Sequence, residues 1–159
     1  MVSALKATYG AATIGSETPR YTTEMSKRTS IEVPGLEHVN PIPNASRVGP
    51  FLVSGGIFGK DPATGKVPDG VDPQCEQMFA NVRRVLKAGG AAPEDVIKLN
   101  VWLKDMADRP VVNKYWVQMF PDPHSRPARH TFSTPDLRAP LLVECEIMAV
   151  ISDRQPDKP

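Results

Sequence analysis

The chain is poor in the features that would narrow its function at once. It has only two cysteines, Cys75 and Cys145, set too far apart for a disulfide framework or a metal-binding spacing. Its three histidines, His38, His124 and His130, form no ligand pattern, so no metal site is expected. Basic and acidic residues nearly cancel at a net +1, which removes the electrostatic case for nucleic acid or an anionic membrane as partner. No apolar run approaches the ~20 residues of a membrane span, and no compact apolar core of a signal peptide is read near the start. The expectation is a cytoplasmic protein with reduced thiols.

What remains is ordinary globular composition, with 40% apolar and 23% charged residues. At 159 residues that suits one domain with a real core. Residues 1–29, rich in Ala, Thr and Ser without a hydrophobic period, read as a flexible N-terminal extension. The domain is placed over 30–153, and 154–159 as a tail.

Within the domain, Ser30–Val33 reads as a short strand, followed by a proline-rich loop (Pro41, Pro43, Pro50) that runs up to Phe51. Phe51–Ile57 reads as a buried strand broken by Gly55 and Gly56. A glycine pair inside a strand implies a bulge or a close backbone approach. A first helix is expected from Asp72 as cap and Pro73 at the first turn to Gly89-Gly90, with Cys75, Met78, Phe79, Val82 and Leu86 on one face. A second is expected from about Pro110 to Phe120, with Val112, Tyr115, Trp116, Met119 and Phe120 inward.

Between the helices Asp95–Leu103 alternates, putting Ile97, Leu99, Val101 and Leu103 on one side. Leu141–Ile151 alternates as well. The order implies an α+β fold, a mixed β-sheet with two helices packed on one face. The other face would carry Trp102, Met148 and part of Phe51–Ile57, too apolar for solvent, so a second copy of the chain is the expected cover.

The chemistry-bearing stretch is Arg126-Pro127-Ala128-Arg129-His130-Thr131, followed by Glu144-Cys145-Glu146 in an apolar run. A guanidinium is always charged and fits a carboxylate in two places. A glutamate in an apolar strand is either paired or has work for its proton. A salt bridge between Arg129 and Glu144 across subunits is the structural alternative. Either Glu144 or Glu146 could be the simple paired strand carboxylate, since both point to one side. By alternation His130 points away from Arg129 and Thr131.

Several segments in one register are similar to the signatures of the RidA (YjgF) family. They are Val53-Ser54-Gly55-Gly56-Ile57, Asp61-Pro62-Ala63-Thr64-Gly65, Gln74, Asn81, Ala88-Gly89, Asp95-Val96-Ile97-Lys98, Val112-Asn113 with Tyr115, Pro127-Ala128-Arg129, and Val143-Glu144-Cys145-Glu146. Together they span roughly residues 48–151. The resemblance implies a chorismate-mutase-like homotrimer with sites in the clefts between subunits. It also implies hydrolysis of reactive enamines or imines of amino acids, or of unsaturated amino acids such as 2-aminomuconate, to a 2-oxo acid and ammonia. No cofactor or metal is implied.

Position by position, the resemblance assigns Arg129 and the Gly55 N–H to the substrate carboxylate and Glu144 to the attacking water. Thr131 falls near the imine nitrogen or the water. Ser54 is a further substrate-binding candidate, and Phe58, just past the Ser-Gly strand, either shapes the pocket or belongs to the core. Asn113 and Tyr115 match without an assigned role. The loop tyrosine of members acting on 2-aminoacrylate is absent, and the loop is shorter. Arg126, Arg47 and His130 are additional polar groups, with Arg126 or Arg47 as candidate second anchors for a dicarboxylic substrate. The competing function is a non-catalytic trimer that binds a small carboxylate. Ribonuclease activity is also attributed to the family, but no basic, aromatic-bearing stripe is present here.

Overall fold

The computed structural model describes residues 28–152. The expected tail lies outside them, as does the expected extension except for its last two residues. The first strand already begins at Thr29, one residue ahead of the expected boundary.

Among the described residues seven strands form one sheet: β1 (Thr29–Ile31), β2 (Ala45–Val48), β3 (Phe51–Ser54), β4 (Ile57–Phe58), β5 (Val96–Leu103), β6 (Ala128–Ser133) and β7 (Val143–Val150). Their order is β1-β2-β3-β7-β5-β6, with β4 also paired to β7. β5 and β6 are parallel and every other pair is antiparallel. Parallel neighbours need a crossover. Helix α2 (Arg109–Met119) supplies it between β5 and β6, and α1 (Val71–Ala88) carries the chain from β4 to β5 on the other side of β7. The expected mixed sheet with two helices on one face is what the chain forms.

Alternation decides which face is covered. Leu99, Val101 and Leu103 of β5 and Val143, Cys145 and Ile147 of β7 are fully buried, in one core with Cys75, Met78, Phe79, Val82 and Leu86 of α1 and Val112, Tyr115 and Trp116 of α2. Burial pushes the Cys75 thiol up to about 12 and Cys145 well above its ordinary value, so both read as inert core thiols. The opposite face keeps Met148, Val53 and Phe51 exposed, at 38%, 45% and 60%.

Three local expectations are corrected. Gly70, at φ +88°, precedes α1 as its cap, and Asp72 sits inside the first turn. The Asp72 carboxylate accepts the Tyr115 hydroxyl and Lys114 Nζ, each at 2.9 Å, and so ties α1 to α2. Ile97 is 54% exposed, because a register shift between Val96 and Lys98 turns it out of the alternation. Residues 45–48, expected as loop, are β2. The end of α1 is as expected: Gly90 takes φ +76°, and Ala91 N–H reaches back to the Leu86 carbonyl.

Candidate functional site: an unpaired arginine arm and a half-buried glutamate

Arg129 sits on β6, an outer strand of the sheet, paired with Leu99 and hence on the helix-covered face. Its Nη2 donates to Asn113 Oδ1 at 2.7 Å, and its guanidinium lies 4.8 Å from the centre of the Trp116 ring. Asn113 and Trp116 are one helical turn apart on α2, so one face of that helix grips the guanidinium from two directions. Nη1 is buried with no hydrogen-bond partner among the described residues. Burial, and secondarily the charge of Arg109, pulls the Arg129 pKa below its ordinary value. A buried, unanswered N–H next to a second cation favours an incoming anion.

Glu144 is on the other face. Its cross-strand neighbours are Phe58 of β4 and Trp102 of β5, and Trp102 stacks on Phe132 of β6 at 5.5 Å. The carboxylate therefore lies in a row of aromatic side chains, and no hydrogen bond to it is found among the described residues. Burial pushes its pKa up, Glu146 adds to the rise, and Arg138 opposes it. Glu146 is different: it accepts Asn100 Nδ2 at 2.8 Å. Glu146 is thus the paired strand carboxylate, whereas Glu144 is unpaired among the described residues.

The glycine pair makes room for it. Val53 faces Met148, whereas Ile57 faces Cys145, so four steps along one strand match three along the other. That extra residue is a bulge. A Cβ on Gly56 would collide with Glu144 Oε1, which makes the close approach specific to glycine.

The remaining candidates separate clearly. Ser54 is buried, and its hydroxyl accepts the Ile147 N–H at 2.9 Å, so it braces the bulge from within. Gly55 N–H, assigned by resemblance to a substrate carboxylate, donates to the Asn44 carbonyl at 2.9 Å. Thr131 pairs with Val101 on the Arg129 face. Phe58 is half-buried and lines a cavity on the Glu144 face. His130 stacks on Phe132 at 4.0 Å, away from Arg129 as its alternation implies. Arg126 is held by the carbonyls of Phe120 and Pro121, and Arg47 by those of Gly49 and Gly89. Neither is a free second anchor.

A family model described as Endoribonuclease L-PSP matches residues 36–151. The chain belongs to the RidA (YjgF) family. It is 33% identical over 112 residues to a RutC family protein of Aquifex aeolicus, covering 70% of this chain and 90% of that one. It is 30% identical over 129 residues to the 2-iminobutanoate/2-iminopropanoate deaminase of Dermatophagoides farinae, covering 80% and 99%. Among solved structures, RidA from an Antarctic Psychrobacter species matches at 31% identity with a TM-score of 0.72, covering 77% of this chain and 99% of that one.

The RidA signatures have physical work in this chain. Asn81 is fully buried and donates to the carbonyls of Phe58 and Lys60, each at 2.8 Å, pinning the segment after the bulge onto α1. Gln74 donates to the Pro68 and Pro140 carbonyls and accepts the Leu142 N–H, fixing the entry to β7 just ahead of Glu144. The Asp61 carboxylate accepts Ala63 N–H and the Thr64 hydroxyl to close its turn.

Two contributors escaped the sequence reading. Trp116 reads from the sequence only as an inward residue of the second helix and Asn113 as a match without a role, yet both hold Arg129. Their spacing on α2 was the available signal, but it carries meaning only once α2 is known to lie over β6. No group of side chains among the described residues could hold a metal ion, and no helix is long and apolar enough to cross a membrane.

Proposed function

We propose that the protein hydrolyses a 2-imino acid, or its enamine tautomer, to a 2-oxo acid and ammonia, in clefts between copies of a homotrimer. The observation that carries this is the buried, unpartnered Nη1 of Arg129 beside an Nη2 already fixed by Asn113. Half of the fork is pre-oriented and half awaits an acceptor, as a carboxylate site requires. The relative in Dermatophagoides farinae is named a deaminase of 2-iminobutanoate and 2-iminopropanoate, which are acids of this kind.

Arg129 and Glu144 project from opposite faces of one sheet, so one copy does not bring them together. A neighbour supplying its Glu144 face to the Arg129 edge does. The exposed Val53, Met148 and Phe51 support that packing, since an apolar sheet face of this kind is normally covered.

A protonated imine is already electrophilic. With its carboxylate on Arg129, a water held by the neighbour's Glu144 attacks the imine carbon, and the carboxylate takes the water's proton. The C=N π-electrons move to nitrogen, giving a carbinolamine. Glu144 then returns the proton to nitrogen, the C–N bond breaks as the hydroxyl oxygen closes the carbonyl and gives its proton to the Glu144 carboxylate, and the departing ammonia carries that proton away as ammonium. The products are 2-oxo acid and ammonium. The raised pKa of Glu144 suits both transfers, because a carboxylate nearer neutrality is the better base and is readily reprotonated. Thr131 shares the Arg129 face, which supports a role for it near the nitrogen or the water. Two buried free thiols agree with a reducing, cytoplasmic setting.

The test is ammonia release from enzymatically generated imines by wild type and Arg129→Ala. Turnover that vanishes in the variant supports the reading. No turnover on any imine, with 2-oxo acids still protecting wild type against heat, would replace the hydrolase with a carboxylate-binding trimer.

A further inference from the structure

On the Glu144 face a cavity of about 450 Å³ opens beside Phe58, with His38, Glu37, Lys60 and Arg138 among its walls. We propose that this cavity is a second anion subsite, and that the substrate is a 2-imino acid carrying a distal carboxylate on its side chain. The inference rests on the imine-hydrolase reading above and adds the substrate class.

Position comes first. Phe58 and Glu144 are direct cross-strand partners, so a substrate side chain leaving the imine carbon beside Glu144 enters this cavity. Arg138 lies near enough for its charge to oppose the rise in the Glu144 pKa.

Charge comes second. Among the described residues the one ion pair joins Lys114 to Asp72, so neither Lys60 nor Arg138 is neutralised by a salt bridge. Lys60 Nζ makes one long contact, 3.5 Å to the Glu37 carbonyl. The Glu37 carboxylate is turned to the Gly35 N–H at 3.0 Å, and backbone N–H groups, more than Lys60, lower its pKa. Two cations therefore face the cavity with one acid that is engaged elsewhere. The other candidate anchors, Arg47 and Arg126, are held by backbone carbonyls and do not compete.

Rigidity comes third. Asn81 fixes the Phe58 and Lys60 carbonyls, so the wall is set before any ligand arrives. His38 is a further wall residue; its Nε2 is buried with no hydrogen-bond partner among the described residues and lies 3.9 Å from where a Gly55 Cβ would stand.

The experiment is calorimetric binding of two stable products, 2-oxobutanoate and 2-oxoglutarate, to wild type, Lys60→Gln, Arg138→Gln and Arg129→Ala. Wild type should prefer 2-oxoglutarate by about tenfold or more, with the preference shrinking as salt is raised. Lys60→Gln and Arg138→Gln should each erase most of it while leaving 2-oxobutanoate within about twofold. Equal affinity for both acids, binding of neither, or equal weakening of both by the two variants would overturn the subsite. Arg129→Ala separates the two claims. If it abolishes both affinities while no preference exists, the imine reading stands and only the subsite falls. If it leaves 2-oxobutanoate binding intact, the parent reading falls as well.

Discussion

Arg129 and Glu144 stand on opposite faces of the same sheet, two strands apart. Arg129 shares its face with the buried Leu99, whereas Glu144 shares its face with Trp102. This relationship excludes a salt bridge between them within one copy, and the proposed mechanism accordingly needs a cleft shared between copies. It also separates their tasks: α2 holds the guanidinium, and a bulge holds the carboxylate.

Glu144 should cost the fold stability as well as serve it. Its folded pKa is raised by burial, so the native state resists ionising it. Below the ordinary carboxylate value both states are protonated and nothing is lost. As pH rises through the folded pKa, stability falls relative to a neutral side chain. Glu144→Gln should therefore melt higher than wild type at neutral pH, with the gap closing in acid, while turnover is lost. Thermal melts at several pH values check the sign, and a lower melting temperature at pH 7 would contradict it.

The same ionisation should appear in the rate. The acid limb of kcat/KM is expected to titrate above 4.5, the ordinary value from which Glu144 is displaced. A pH–rate profile that stays flat through that region would remove Glu144 as the base.

Gly56→Ala places a methyl group against the Glu144 carboxylate. The carboxylate is the far end of a flexible side chain and can swing aside, so the stability cost should stay within about 1–3 kcal/mol. Misplacing the water should cost far more in rate, on the order of 10²-fold. Activity retained with an unchanged profile would show that the close approach is incidental.

Asn113→Ala frees the second arm of the Arg129 fork. The lost hydrogen bond is to a charged group but at an exposed site, so about 1 kcal/mol is expected, roughly fivefold in KM. The effect should fall on KM more than on kcat, because Asn113 positions the anchor without touching the reacting atoms. Steady-state kinetics on the best imine decide it.

Asn81→Ala probes the frame. It removes two part-buried hydrogen bonds to the Phe58 and Lys60 carbonyls, together with those that Asn81 Oδ1 accepts from Gln77 and Arg84, and takes from the two carbonyls the donor that holds them. About 2–4 kcal/mol should be lost in urea denaturation. A loss under about 1 kcal/mol would mean that the segment holds itself.

The helices, β5 and β7 were legible because each carries a strong period over eight or more residues. β2 was not, because Ser46 and Arg47 lack apolar alternation and the strand exists through its neighbours β1 and β3. Asp72 has the chemistry of a cap, and only the packing of Tyr115 and Lys114 above it diverted the carboxylate. Ile97 obeys the alternation on paper but falls at a register shift that no local pattern marks. The site shows the same division. Glycine at 55 and 56 announced a bulge, and the lone arginine and glutamate announced chemistry. Which face each would occupy depended on strand pairing, and the grip of Asn113 and Trp116 on Arg129 depended on where α2 lands.

The most direct test of the shared cleft is complementation between two inactive variants. Arg129→Ala and Glu144→Gln copies, co-expressed with different tags and purified through both, would form mixed assemblies. If each site takes its arginine from one copy and its glutamate from the next, some sites combine an intact Arg129 with an intact Glu144. Every trimer that holds both kinds of copy then has one intact site of its three, so about a third of wild-type activity returns. Mixed assemblies as inactive as either parent, while wild type tagged in the same way is active, would contradict a site built between copies.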